Sequence, residues 1–411
     1  MFKSFANHFI SHRLINRLVL IKTTKNDKNI KQFGKYFSTQ TTKTEVKEEN
    51  NFDIVINGGG IVGFSTFLAL KSSPFLRDKR ICLIERQSKP NDELIDRKDN
   101  FSNRVSSITT SSKKFLQQIN VWKDFEDNAK PIKEFYVWSQ KYRNAINFKL
   151  NNTLGEQNDE NNDICYVIEN NRILSSLQSK VSRFEDNVSY GTVVTDIKSD
   201  TNSVEIETKC LKTDELNHLK TRLLIGCDGF QSIVRQKSNL KNFEHDLEQM
   251  GVVGTIAVDS GVGNEFNEIA FQRFVPFDGS VIALLPLSQE FCSFVWSSPK
   301  DSAKLLMEMT DNQFIDHMND SLYMEPNSSE SFTEKVDEVM TRFIPKQIFE
   351  NQTPRYSVPH VLSVLPESRA MFPLKFSTTL PYLVGAPNDS NNNNRIVIIG
   401  INLYYFHSKT Y

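Results

Sequence analysis

The sequence predicts an α/β protein: a Rossmann-like dinucleotide-binding domain joined to a second part made of an antiparallel β-sheet plus helices. Three observations predict it. "FDIVINGGGIVGFSTFLALKSS", from Phe52, is an apolar run, a glycine turn and an apolar helical pattern. "TRLLIGCDGFQSIVRQKSNL", ending at Leu240, repeats the strand–turn–helix order. Between Gly251 and Phe376, short β-rich runs separated by turn residues replace that alternation.

The chain of 411 residues is long enough for two or three domains. Its net charge of −1 provides no field that would favour nucleic acid, so none is expected as a partner. No run approaches the roughly 20 apolar residues of a transmembrane helix. The five cysteines (Cys82, Cys165, Cys210, Cys227, Cys292) contain no C-x-x-C pair and read as reduced core thiols. The seven histidines show no ligand spacing, so no metal centre is expected.

Residues 1–44 stand apart, with nine Lys or Arg residues and one acid, Asp27. "HFISHRLINRLVLI" places Phe9, Leu14, Ile15 and Leu18 on one helical face. This acid-poor amphipathic pattern predicts a mitochondrial transit peptide and a matrix destination. Residues 51–240 then form the dinucleotide domain, with some segments of the second domain interleaved. Residues 245–376 form the substrate domain, and residues 377–411 return a strand to the first. "LNNTLGEQNDENND" (150–163) and "NDSNNNN" before Arg395 read as exposed loops.

Within the first motif, Gly58, Gly60 and Gly63 give G-x-G-x-x-G between a strand and a helix. The first glycine allows the tight turn and the second lets backbone approach a pyrophosphate. The third lets helix and strand pack closely, and the helix N-terminus faces the phosphates. A second strand, "RICLIER", ends in Glu85, 25 residues beyond Gly60, at the spacing of a carboxylate that accepts from ribose hydroxyls. The motif alone does not separate NAD from FAD. Asp228 and Gly229 end the later strand, where the carboxylate can accept from a polyol, and Ser232 and Arg235 open the next helix.

Together, G-x-G-x-x-G and D-G-x-x-S-x-x-R resemble the FAD-dependent aromatic hydroxylases, the single-component flavoprotein monooxygenases. "SNRVSSIT", "YVIEN", "FQRFVPFDGSVIALLPLS", "SFVWS" and "FPL" are similar to the ubiquinone-biosynthesis hydroxylases of mitochondria. The resemblance runs from Phe52 to Gly400. It implies the aromatic hydroxylase fold and FAD, with Gly58, Gly60 and Gly63 at the pyrophosphate and Glu85 at the adenosine ribose. It places Arg104 near the flavin side, Asp228 and Gly229 at pyrophosphate and ribityl, and the Val194 backbone at adenine. Glu169 either matches a cofactor-adjacent polar position or is an ordinary helix-start carboxylate. Phe271, Phe274, Phe294 and Trp296 are candidates for the substrate pocket or plain core.

The implied reaction is hydroxylation of a polyprenylated hydroxybenzoate-type ring with O₂, through a flavin C4a-hydroperoxide. Electrons would come from a ferredoxin and its reductase. The chain would contact the inner membrane peripherally, in a complex with other ubiquinone-biosynthesis enzymes. No general base can be named from sequence. The family continues after "RIVIIG" with G-D-A-x-H-x-x-x-P-x-x-G-Q-G, whereas Gly400 is followed here by "INLYYF". That departure predicts a chain cut short of its last flavin motif and C-terminal helices. It keeps open a second reading, a catalytically impaired assembly subunit of a ubiquinone-synthesis complex.

Overall fold

The computed structural model describes residues 50–89, 101–139, 145–149, 162–259, 267–275, 278–323, 358–380, 382–383, 395–399 and, as backbone, 405–406. The segment expected to be a transit peptide, most of the 150–163 loop, the Asn-rich stretch before Arg395, and Gly400 lie outside the described residues.

The first stretch runs β1 (Asn51–Asn57), α1 (Ile61–Ser72), β2 (Ile81–Ile84), β3 (Val105–Thr109), α2 (Thr110–Gln118), β4 (Lys130–Ile132), β5 (Glu134–Trp138) and β6 (Ile146–Lys149). Next come β7 (Cys165–Glu169), α3 (Asn170–Val181), β8 (Val188–Ser189), β9 (Thr192–Ser199), β10 (Val204–Cys210), β11 (Leu216–Gly226) and α4 (Ile233–Lys237). The remainder is β12 (Lys241–Asp259), β13 (Ile269–Phe274), β14 (Val281–Pro286), β15 (Phe291–Pro299), α5 (Lys300–Glu308), α6 (Asp311–Tyr323), β16 (His360–Val364), β17 (Ala370–Leu380), β18 (Ile396–Ile398) and β19 (Tyr405–Phe406).

These strands form three sheets. The first has the order β8-β2-β1-β11-β10-β9, with β18 beside β11. Strands β8, β2, β1, β11 and β18 are parallel, while β10 joins β11 and β9 antiparallel. Ile54, Val55 and Ile56 are buried on both faces of β1, which is why the strand reads as a continuous apolar run rather than an alternation. Helix α1 is buried from Gly63 to Leu70 and packs against α3, so it too is apolar almost all round.

The second sheet has the order β19-β17-β12-β15-β14-β13-β5-β6, with β16 also on β12. The expectation of an antiparallel sheet holds except at β13–β5, which is parallel because β5 arrives from the earlier part of the chain. A third, three-stranded sheet, β3-β7-β4, lies between the two, and Cys165 and Val167 on β7 pack with Ala270 and Leu285 of the second. The three- and four-residue apolar spacing of "AKLLMEMTDNQFIDHMNDSLYM", from Ala303, predicts helix, and the structure divides it into α5 and α6. Thr310 breaks it, its hydroxyl accepting from the Gln313 N–H at 3.4 Å as a cap for α6.

Alternation along β13 and β15 settles the aromatic candidates. Phe271, Phe294 and Trp296 are almost fully buried on the face that α5 and α6 cover, with Leu306, Phe314 and Met318. Phe294 meets Phe314 at 5.3 Å between ring centroids, and Trp296 stacks on His317 at 5.4 Å. These three are core beneath the helices, the second of the two readings left open for them. Phe274, one step out of phase with Phe271, belongs to the opposite face.

Four of the five cysteines are buried, and burial pushes the Cys82 thiol up to about 11 and Cys165 to about 12. Cys210 is the exception. It is partly exposed, and hydrogen bonding to Thr213 and Lys212 in its turn lowers its pKa.

Gly254 on β12 leaves no room for a side chain against the helix-covered core. A Cβ there would lie 2.7 Å from the Phe294 ring and 3.3 Å from the Ser368 carbonyl oxygen. Because Phe314 blocks retreat of that ring, Gly254→Ala is expected to cost about 1–3 kcal/mol of stability, read by chemical denaturation.

Candidate cofactor site

The C-terminal ends of β2, β1, β11 and β18 share one edge of the first sheet, the edge where open parallel sheets bind ligands. Each strand hands on to its neighbour there. Gly58 N donates to Ile84 O at 2.8 Å, Cys227 N to Asn57 O at 2.7 Å, and Ile399 N to Gly226 O at 2.8 Å. Strand β18, from the run "RIVIIG", thus ends beside Gly226 as the fourth of these parallel strands.

The glycine turn has four glycines with distinct jobs. Gly58 has φ +106°, and a Cβ there would stand 2.5 Å from the Cys227 carbonyl oxygen. A Cβ on Gly63 would run into the Gly58 carbonyl oxygen. Gly59, which the spaced motif does not single out, would strike the Glu85 carboxylate at 2.5 Å. Gly60 differs from all three. Its φ of −72° and ψ of −176° suit any residue, and a Cβ there would meet nothing within 4 Å. Neither backbone nor packing requires a glycine at position 60, so the open volume at the N-terminus of α1 is what its missing side chain leaves.

Glu85 follows β2 and closes this turn from the side. Its Oε2 accepts from Gly59 N at 2.5 Å and its Oε1 from Gln87 N at 2.7 Å. The start of β9 lies against it, with Thr192 N donating to Glu85 O at 3.0 Å. Val194, two residues on, is buried with Ile197 and Val234 beneath the sheet.

Donors from β1 and from its own turn hold Asp228. Asn57 Nδ2 reaches its Oδ2 at 3.0 Å and Val234 N reaches the same oxygen at 3.2 Å, while the Ser232 hydroxyl also bonds the carboxyl. Its Oδ1 is buried with no partner. Desolvation dominates and holds the carboxyl above the usual range despite those bonds. Gly229 takes φ +76° to turn the chain. Asn57 is the functional residue the sequence reading passed over; the signal was a polar side chain, now 6% exposed, ending an otherwise apolar strand. Ser232 caps α4 through Arg235 N at 3.0 Å, and the Arg235 guanidinium donates to the Phe230 carbonyl, fixing the loop after Gly229.

Arg104 and Glu169 lie where the three-stranded sheet meets the second sheet. The Arg104 guanidinium stands 5.2 Å from the Phe372 ring centroid on β17. Glu169 is buried at the start of α3, accepting from Ser102 N at 2.6 Å and from Arg172 Nε. Among the described residues, no group of three His, Cys, Asp or Glu is placed to hold a metal.

The residues of the edge fit a dinucleotide. The volume at Gly60 and the exposed N–H groups of α1 suit a pyrophosphate. The unpartnered Asp228 Oδ1 is an acceptor awaiting a hydroxyl.

Comparison with known proteins agrees with this chemistry. A family model described as an FAD binding domain matches residues 51–341. The mitochondrial ubiquinone biosynthesis monooxygenase COQ6 of Xenopus tropicalis is 32% identical over 348 residues, covering 81% of this chain and 69% of that protein. Its Drosophila melanogaster counterpart is 30% identical over 84% of this chain and 68% of its own length. Among solved structures, the probable FAD-dependent monooxygenase PqsL of Pseudomonas aeruginosa superposes with a TM-score of 0.55 at 14% identity, over 85% of this chain and 78% of that one. The flavin-dependent halogenase CmlS gives 0.53 at 11% identity, over 85% and 52%. The fold is therefore common to hydroxylases and halogenases, and the sequence relatives are what separate them. The chain belongs to the FAD-binding flavoprotein monooxygenases, in the group that contains the mitochondrial ubiquinone biosynthesis monooxygenases.

Proposed function

We propose that this protein is the FAD-dependent monooxygenase that hydroxylates a polyprenylated hydroxybenzoate-type ring during ubiquinone biosynthesis. The observation that carries the reading is the pairing of an open glycine cradle and an unpartnered Asp228 oxygen with relatives of that name across most of the chain.

Bound FAD would supply the activation of O₂ for ring hydroxylation. The chain's own work is to bind, orient and exclude water. Gly58 and Gly63 set the position of α1 so that its N-terminus meets the pyrophosphate, and Gly60 leaves room for it. Asp228 accepts from the ribityl side and Glu85 from the adenosine ribose, against the backbone around Val194. Arg104 approaches from the flavin side. The second sheet offers the face opposite its helix-covered core, where alternation places Phe274 and Phe372, to the aromatic ring.

Electrons come from a ferredoxin and its reductase. The protein works in the mitochondrial matrix in peripheral contact with the inner membrane, where its prenylated substrate resides, and in association with other enzymes of the pathway. None of the described helices is long and apolar enough to cross a membrane.

The direct test is to assay the purified protein for bound FAD and for a product one oxygen heavier than a prenylated hydroxybenzoate. A ferredoxin system is expected to support turnover and NADPH alone to fail. Turnover with NADPH alone would overturn the electron source, and stoichiometric absence of FAD would favour the assembly-subunit reading.

Asp228 gives a prediction with a sign. Its raised pKa means that the ionised form is costly in the folded state. The cost is fully present above the folded pKa and fades as pH falls toward the ordinary carboxylate value. Asp228→Asn is therefore expected to raise the melting temperature of the apoprotein at neutral pH, with the gain shrinking on acidification. The same change is expected to weaken FAD binding roughly ten- to hundredfold, read by quenching of flavin fluorescence.

A further inference from the structure

The segment Phe101–Arg104, just before β3, bridges two sheets. Toward the second sheet it makes three contacts. The Phe101 ring lies 5.0 Å from that of Phe291 on β15, Asn103 Nδ2 donates to Ser368 O at 3.3 Å, and the Arg104 guanidinium covers Phe372. Toward the three-stranded sheet it is tied down by two consecutive residues. The Glu169 carboxylate accepts from Ser102 N at 2.6 Å, and Asn170 N donates to Arg104 O at 3.0 Å. The Asn170 side chain then accepts from Ser106 Oγ at 2.5 Å.

We propose that Glu169 is a positioning residue that fixes Arg104 by clamping the Ser102 backbone, rather than a residue that touches the cofactor. Both of its oxygens are engaged, one by Ser102 N and the other by Arg172 Nε, and its side chain is only 5% exposed. Such a buried, charge-assisted bond to a backbone N–H is stronger than a neutral one and holds the segment in one geometry. The antiparallel register Val105↔Glu169 then carries that geometry into β3. Arg104 is thereby held between its backbone tether and Phe372, with its guanidinium at the boundary of the two sheets. Of the two sequence readings for Glu169, the helix-start carboxylate is nearest, but besides the Arg172 side chain of the first turn of α3 it accepts from the backbone of the segment before β3. The proposal rests on the cofactor reading above for what Arg104 does, and not for how it is held.

The test uses Glu169→Ala, Glu169→Gln, Arg104→Ala and the double variant Glu169→Ala/Arg104→Ala. In the apoprotein, hydrogen exchange of the amides from Ser102 to Ser106 is expected to accelerate about tenfold or more in Glu169→Ala. It should return most of the way in Glu169→Gln, which keeps an acceptor for Ser102 N. The dissociation constant for FAD is expected to rise about tenfold in each single alanine variant, and the double variant is expected to be no worse than Arg104→Ala. Unchanged exchange in Glu169→Ala would overturn the clamp. FAD losses that multiply in the double variant would show that Glu169 acts on the cofactor independently of Arg104, and would overturn the assignment. If the wild-type chain takes up no FAD, the cofactor reading fails by itself, and the exchange measurement still decides the clamp.

Discussion

The structure of the site depends on one close approach. Helix α1 can enter as near to β1 as it does only because Gly63 presents no Cβ to the Gly58 carbonyl, while Gly58 presents none to Cys227. That contact fixes the N-terminus of α1 relative to the ends of β1 and β11. Once it is fixed, Cys227 N can bond Asn57 O, Asn57 can hold Asp228, and Glu85 can brace Gly59. The placement of these groups at the edge follows from two absent side chains, and the open volume beside them from a third, at Gly60.

The second sheet divides its labour by face. One face is filled with aromatic and aliphatic side chains and sealed by α5 and α6, giving a rigid wall. The opposite face turns toward the three-stranded sheet and the segment that carries Arg104. On the proposed reading, a sheet backed by a packed core and an arginine held beside it would orient a flat ring, and small displacements at a reacting centre are costly in rate. Asp228 shows the accompanying compromise. A carboxylate with a buried, unpartnered oxygen destabilises the protein alone and is retained where a ligand hydroxyl can satisfy it.

Much of this was legible in the sequence because it rests on local rules. Strand, glycine turn and helix announce themselves by period and by the positions that tolerate no side chain, so β1, α1, β2 and the strand before Asp228 were found where they lie. The Thr310 break in the helical run was not, because both halves keep a helical period and only the cap separates them. The aromatic residues stayed open between pocket and core for a different reason. A strand's alternation shows which residues share a face, but not which face a later pair of helices will cover, and Phe271, Phe294 and Trp296 fell on the covered one. Asn57 and the tether from Glu169 to Ser102 depend on residues far apart in the chain, which no spacing rule reports.

The most direct measurement turns on Gly60, the one glycine of the turn that the fold itself does not need. Gly60→Val should cost the apoprotein no more than about 1 kcal/mol, the scale of losing glycine at a helix N-cap, since its backbone angles suit valine and the new Cβ meets no neighbour. If the open volume there is the pyrophosphate cradle, titration with FAD should show affinity reduced by about a hundredfold or more, the scale of losing close backbone contact with a phosphate. FAD binding as tight as in the wild type would contradict the account and place the cofactor elsewhere.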